Sequence, residues 1–164
     1  MILGEEKLKE MFPEFQGDIE ANGIDLRVGK AYQYIPYQIS GCVDDEKNLP
    51  DTFEKEVIVE AGVEYYELEE GESMFFEIDR PISIPENHVQ LYYLRSTFVR
   101  CGLVLASAVG DAGFQGTLMM TVHNPTKHSI LIGANERLVQ AVTYTAEGCG
   151  VYNGSYQNDK AYKE

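Results

Sequence analysis

The residues able to do chemistry crowd into one stretch of the chain, positions 94–144. Arg95, Ser96, Thr97 and Arg100 open it, Asp111 heads the turn D-A-G-F-Q-G, and Arg137 and Gln140 stand in E-R-L-V-Q. Guanidinium and hydroxyl groups are donors suited to phosphate oxygens, and a carboxylate in a turn can accept a proton from water. Together they suit a site that holds a phosphorylated ligand and activates a water. Each residue also has a plainer role open to it. Asp111 is either such a base or a stabiliser of its own turn. Ser96 either helps present a helix end to phosphate or simply caps that helix.

Strands must hold these residues in place. One short helix is expected over residues 5–12, with Leu8, Met11 and Phe12 on one face and Pro13 as its stop. After the Asn22-Gly23 turn, Ile24, Leu26 and Val28 alternate with Asp25, Arg27 and Gly29, the period of a half-buried strand with a solvated polar face. Residues 32–55, with Pro36, Pro50 and an acidic D-D-E, suggest a long loop or extended arm. Short strands are expected at 57–59, 65–68 and 73–78, an extended link at 81–85, and a further strand where Val89, Leu91 and Tyr93 alternate. A second helix is expected over 96–103, with Arg95 and Ser96 at its N-terminus. Strands at 104–108 and 117–122 flank the turn 110–116, where glycines let the backbone bend sharply or approach a ligand. Strands at 129–132 and 138–142 complete the set. Residues 151–164 are polar, with little to bury, and are expected to form a mobile tail on a single domain of residues 1–150. The expectation is an all-β barrel or sandwich with one or two short helices.

The composition narrows the partners. Thirteen Lys and Arg against 27 Asp and Glu give a net charge of -14, which argues against nucleic acid and anionic membranes. It also makes Arg95, Arg100 and Arg137 more telling, since a local cluster can outweigh a screened bulk field. No apolar run has the length of a membrane span, and M-I-L-G-E-E-K has no basic n-region, so the cytoplasm is the expected location. Cys42, Cys101 and Cys149 are scattered, and His88, His123 and His128 lack ligand spacing, so neither a disulfide framework nor a zinc centre is expected.

The ordered set R-S-T-x-x-R-x-G-L, D-x-G-F-x-G, V-x-N and E-R-L-x-Q, with N-G-I-D-L-R-V-G before it and Y-N-G-S-Y-Q after it, resembles the dUTPase and dCTP deaminase superfamily, and within it the archaeal deaminase-like branch. The resemblance implies a β-clip, a distorted jelly roll that is usually trimeric with sites between subunits. It implies that Asp111 deprotonates the attacking water and contacts the sugar, and that Phe114 packs under the deoxyribose, the alternative being a core aromatic. It implies that Arg95, Ser96, Thr97, Arg100 and Gln140 bind phosphate, and that Tyr156 and Gln157 belong to a tail closing over the nucleotide. Asp25 takes a supporting place, and Arg137 either contacts phosphate or pairs with a carboxylate. Magnesium would be held by the triphosphate and water rather than by protein ligands, with Asp25 in reach of its waters.

Two departures from the family pattern matter. The deaminases carry a glutamate five residues after the last glycine of D-x-G-F-x-G, and Thr121 stands there; a threonine hydroxyl cannot shuttle protons as a carboxyl can. No other carboxylate lies between Gly116 and Asn135, which leaves only one folding in from elsewhere, such as Glu136. The tail's usual lysine is Ser155, with Lys160 as a possible substitute. The leading expectation is therefore a dUTP diphosphatase, with a dCTP deaminase (alone or bifunctional) and a non-catalytic nucleotide-binding homologue as alternatives.

Overall fold

The computed structural model describes residues 1–162, with side chains as far as Asp159. Helix α1 (Glu5–Met11) and a 3-10 turn (Pro13–Asp18) lead into β1 (Ile19–Glu20) and β2 (Gly23–Tyr34). Next come β3 (Gly41–Val43), β4 (Glu46–Asn48), β5 (Thr52–Glu54), β6 (Ile58–Glu60), β7 (Val63–Leu68), β8 (Ser73–Ile78), β9 (Ile82–Ser83) and β10 (His88–Leu94). Helix α2 (Ser96–Cys101) precedes β11 (Val104–Ala106), β12 (Gln115–Gly116), β13 (Met119–His123), β14 (Ile130–Gly133) and β15 (Arg137–Thr145). A 3-10 segment, Gln157–Tyr162, ends the described chain.

The main sheet runs β10-β15-β2-β8-β13-β11, with β1 and β5 also paired on β2; β14-β7-β6, β12-β9 and β3-β4 form smaller sheets. The long strand β2 joins the two halves. Its start pairs with β15, its end pairs with β8, and the register slips between Val28 and Ala31. The bend at that slip helps the sheet curl toward a barrel around one core. Leu8 and Phe12 beside α1, Ile24 and Leu26 of β2, Phe76 of β8 and Leu138 of β15 have no exposed surface within it. Full burial of such a side chain stabilises by about 1.5–3 kcal/mol. The expected all-β architecture with short helices is the one found. Among the described residues no helix is long and apolar enough to cross a membrane.

The structure adds local detail to these expectations and changes some of them. Pro13 ends α1 but also opens the 3-10 turn, since proline is pre-set for a first helical position. Residues 32–55 are no plain loop. The strand β2 continues to Tyr34, and β3 and β4 form a hairpin whose turn residues Asp44 and Asp45 both have positive φ, the signature of a tight two-residue hairpin turn. Helix α2 is shorter than expected, ending at Cys101 with Gly102 in the left-handed region (φ 92°), and its N-cap is Arg95 rather than Ser96, with no side-chain cap. Strand β10 lies where alternation put it, but its fully inward residues are the intervening His88, Gln90 and Tyr92. Tyr93 is exposed.

Candidate functional site

The turn from Gly110 to Gly116 is pinned on several sides. Gly110 exchanges both backbone hydrogen bonds with Gln90 of β10, at 2.9 Å each. The Gly113 N–H donates to the Ile84 carbonyl (3.0 Å), the Ile84 N–H to the Phe114 carbonyl (2.8 Å), and the Phe114 N–H back to the Asp111 carbonyl (3.1 Å). Gly113 has φ +78°, and a Cβ there would sit 2.5 Å from Val151 Cγ1, so conformation and space both require glycine. The frame is rigid, while the Asp111 side chain is exposed and has no hydrogen-bond partner among the described residues. A side-chain bond from Asp111 to its own turn, the plainer role open to it, is not formed. Phe114 is buried and meets Tyr152 edge to face at 5.7 Å.

Asp111 and Phe114 open onto a cleft of about 1050 Å³ that Tyr156 also lines. Its other walls include residues the sequence did not single out: Tyr32 and Tyr34 from the end of β2, Phe75 and Glu77 from β8, and Thr117. The signal for Tyr32 and Tyr34 lies in the alternation of A-Y-Q-Y, which continues the strand into residues 32–55. Thr121 pairs across the ladder with Phe75, and its hydroxyl is 2.7 Å from the Tyr34 hydroxyl. Two residues further along the same strands Met119 pairs with Glu77, a carboxylate that reaches the cleft from β8. Glu136, the example of such a carboxylate that the sequence left open, accepts the Arg137 N–H at 2.9 Å.

The expected phosphate and supporting residues form a second group. Strand β15 sets Gln140 opposite Asp25 of β2, and Arg95 enters from the start of α2. Arg95 Nε lies 3.1 Å and Arg137 Nη1 3.5 Å from Asp25 Oδ2, while Gln140 Nε2 donates to Oδ1 at 3.5 Å. Oδ2 has ion-pair neighbours but no well-aligned hydrogen bond. Asp25 is wholly buried, not on a solvated face. Burial pushes its carboxyl above the ordinary carboxylate range; the charges of Arg95 and Arg137 and the bond from Gln140 pull it back, and Glu20 adds to the rise. Arg137 also pairs with Glu20 at 3.1 Å. Ser96, Thr97 and Arg100 are exposed on α2. None of this second group lines the cleft that holds Asp111.

The tail lies against the turn. Gln157 Oε1 accepts the Gln115 N–H and its Nε2 donates to the Gly113 carbonyl, both at 2.9 Å; Asp159 accepts the Thr117 N–H at 2.6 Å. The Lys160 side chain, considered as a stand-in for the tail lysine, lies outside the described residues. A different lysine reaches the tail: Lys47 of β4 donates to Ser155 Oγ at 3.2 Å and sits 5.5 Å from the centre of the Tyr156 ring.

This chain is 41% identical over 157 residues to a protein of Methanothermobacter thermautotrophicus named "Probable deoxyuridine 5'-triphosphate nucleotidohydrolase", a match spanning 96% of this chain and 99% of that one. It is 29% identical over 168 residues to a "dCTP deaminase" of Pyrobaculum islandicum, across 98% and 93% of the two chains. A crystal structure of 2'-deoxycytidine 5'-triphosphate deaminase from Agrobacterium tumefaciens shares the fold with a TM-score of 0.65 at 14% identity, over 88% of this chain and 48% of that longer one. The family model for dCTP deaminase-like proteins matches residues 3–146, the β framework with Asp111, Phe114 and the group around Asp25, and the chain belongs to that family.

Proposed function

We propose that this chain hydrolyses dUTP to dUMP and pyrophosphate. The observation that carries this is the exposed Asp111 carboxylate, without a hydrogen-bond partner among the described residues, on a pinned turn at the edge of a cleft, in a chain 41% identical to a relative bearing a dUTP-hydrolase name. Asp111 takes a proton from a water whose oxygen attacks the α-phosphorus; the bond to the bridging oxygen breaks and pyrophosphate leaves. Phe114 packs under the deoxyribose. Arg95, Arg100, Gln140 and the Ser96–Thr97 hydroxyls take the phosphates, and Asp25 holds Arg95 in place for them. Tyr156 and Gln157 belong to the cover over the bound nucleotide, and Lys47 supplies the cation that Ser155 lacks.

The cleft itself carries Glu77, Asp111 and Asp159, so like charge keeps a triphosphate from lying deep inside it. The phosphates therefore point outward, to Arg95 and Arg100, which do not line the cleft that holds Asp111. We place those cations on a neighbouring subunit of a homotrimer. Light scattering of an active preparation is expected to give three times the chain mass of 18.5 kDa; a monomer mass would overturn the shared site.

Magnesium fits this site as a companion of the substrate. Among the described residues no group of three or more His, Cys, Asp or Glu side chains is placed to hold a metal, and Asp25 is already engaged by two arginines. Phosphate oxygens and water would hold the ion, which when bound neutralises charge on the triphosphate. A cytoplasmic location accompanies a nucleotide substrate of this kind.

Deamination of dCTP has one observation in its favour, the Glu77 carboxylate that lines the cleft, two residues along β8 from Phe75, the cross-strand partner of Thr121. Against it, the Thr121 hydroxyl is engaged with Tyr34 and cannot itself shuttle protons at neutral pH. Chromatography of products after incubation with dUTP, dCTP, UTP and dTTP, beside an ammonia-coupled assay, separates the two. Pyrophosphate from dUTP and no ammonia from dCTP is the expected result. Ammonia well above background would move the assignment to deaminase, with Glu77 as the group to mutate next.

A further inference from the structure

Beneath the turn that carries Asp111 runs a chain of buried polar side chains that the proposed reaction does not otherwise use. It begins on β15, where the Thr143 hydroxyl accepts from Gln90 Nε2 at 3.1 Å. It continues on β10, where the Tyr92 hydroxyl donates to Gln90 Oε1 at 3.2 Å. Gln90 and Thr143 are fully buried and Tyr92 is 8% exposed. An inward-facing polar stripe is costly unless every member is bonded, and here each amide group of Gln90 has its partner.

The chain ends against Gly110, the residue before Asp111. A Cβ built on Gly110 would lie 2.1 Å from the Tyr92 hydroxyl oxygen, so that oxygen packs directly on the glycine backbone. The same Gly110 is held by its two backbone bonds to Gln90. Gln90 therefore grips the turn by its main chain and aligns Tyr92 by its side chain. Burial, with the negative charge of Asp111 adding to it, keeps the Tyr92 hydroxyl protonated at any ordinary pH, so its donor role does not switch.

We propose that Tyr92, Gln90 and Thr143 are positioning residues, setting the place of the Asp111 carboxylate through Gly110. This rests on Asp111 being the base of the proposed hydrolysis. A base displaced by a fraction of an ångström loses much of its effect, while substrate binding by other residues is unaffected.

The test is steady-state kinetics of pyrophosphate release from dUTP on the full chain, with thermal melting run beside it. Tyr92→Phe is expected to lower kcat by about tenfold or more with KM within about twofold. Thr143→Val, which removes only the far hydroxyl, is expected to lower kcat in the same direction, and Thr143→Ser, which restores it, to recover parental kcat. A merely structural role would lower the melting temperature and leave kcat at a permissive temperature unchanged. Folded Tyr92→Phe with parental kcat, or with a raised KM in place of a lowered kcat, overturns the proposal; should Tyr92→Phe not fold, the Thr143 pair decides in the same way. Hydrogen exchange at the Gly110 amide reads the coupling without turnover. Faster exchange there in Tyr92→Phe or Thr143→Val, with the amides of β8 unchanged, is expected, and unchanged exchange at Gly110 overturns it. A parent that releases no pyrophosphate from dUTP marks a failure of the assigned activity instead, and the exchange measurement still decides the positioning.

Discussion

Asp111→Asn is expected to lower pyrophosphate release from dUTP by about 10²–10⁴-fold, the usual contribution of one well-placed general base. Asparagine has the size and shape of aspartate but cannot take a proton from water at neutral pH. The substitution should do little else. The Asp111 side chain is exposed and makes no hydrogen bond among the described residues, and the turn is held by backbone bonds of Gly110, Gly113 and Phe114. Melting temperature and the affinity for a non-hydrolysable dUTP analogue should stay near the parental values, measured by calorimetry. A variant that keeps more than about a tenth of parental turnover, against that expected loss, would remove Asp111 from the role of base.

Gly110→Ala is expected to damage both stability and turnover. The added methyl would lie 2.1 Å from the Tyr92 hydroxyl oxygen, 2.7 Å from Ile84 Cδ1 and 3.0 Å from Gln90 Cβ. None of the three can move freely. Tyr92 and Ile84 are packed in the core, and Gly110 cannot withdraw without breaking its two bonds to Gln90. Overpacking of this kind costs about 1–3 kcal/mol, occasionally more. Because the displaced backbone carries Asp111 as its next residue, turnover should fall by about 100-fold or more even well below the melting temperature. Urea unfolding and single-turnover kinetics on the same preparation check both halves. Parental stability together with parental turnover would show that the packing under the turn is looser than these contacts imply.

Much of the framework was legible in the residues. The alternation of Ile24, Leu26 and Val28, the run S-M-F-F-E-I at β8 and the apolar E-R-L-V-Q-A-V segment led to strands that are found. These signals are local: a strand of period two shows its period in its own side chains, whatever it packs against. The D-A-G-F-Q-G turn was legible for the same reason, since a glycine at positive φ marks a bend by itself.

What failed did so where a second strand decides the matter. On β10 the alternation marked a strand without saying which face is buried: His88, Gln90 and Tyr92 face the core, where Gln90 finds Thr143 on β15 and Tyr92 finds Gln90. Asp25 looked solvated, yet β15 and α2 close over it with Gln140, Arg137 and Arg95. Residues 32–55 read as a long loop or extended arm, because the β3–β4 hairpin turns on Asp44 and Asp45 in the left-handed region, a conformation that residue type alone does not fix.

By itself the sequence determined the kind of chemistry on offer: one turn carboxylate, a few arginines in a chain of net charge -14, an all-β scaffold and an ordered set of motifs. Only the tertiary structure decided which of those groups share a space. It brought Asp111, Phe114 and Tyr156 to one cleft with Glu77 and Tyr34, and Asp25, Arg95, Arg137 and Gln140 to another place, and it brought Lys47 to the tail across 108 positions. The reason is physical. Side-chain identity sets what a group can donate or accept, but its neighbours across a sheet are set by strand order and register, which depend on pairing energies summed over the whole fold.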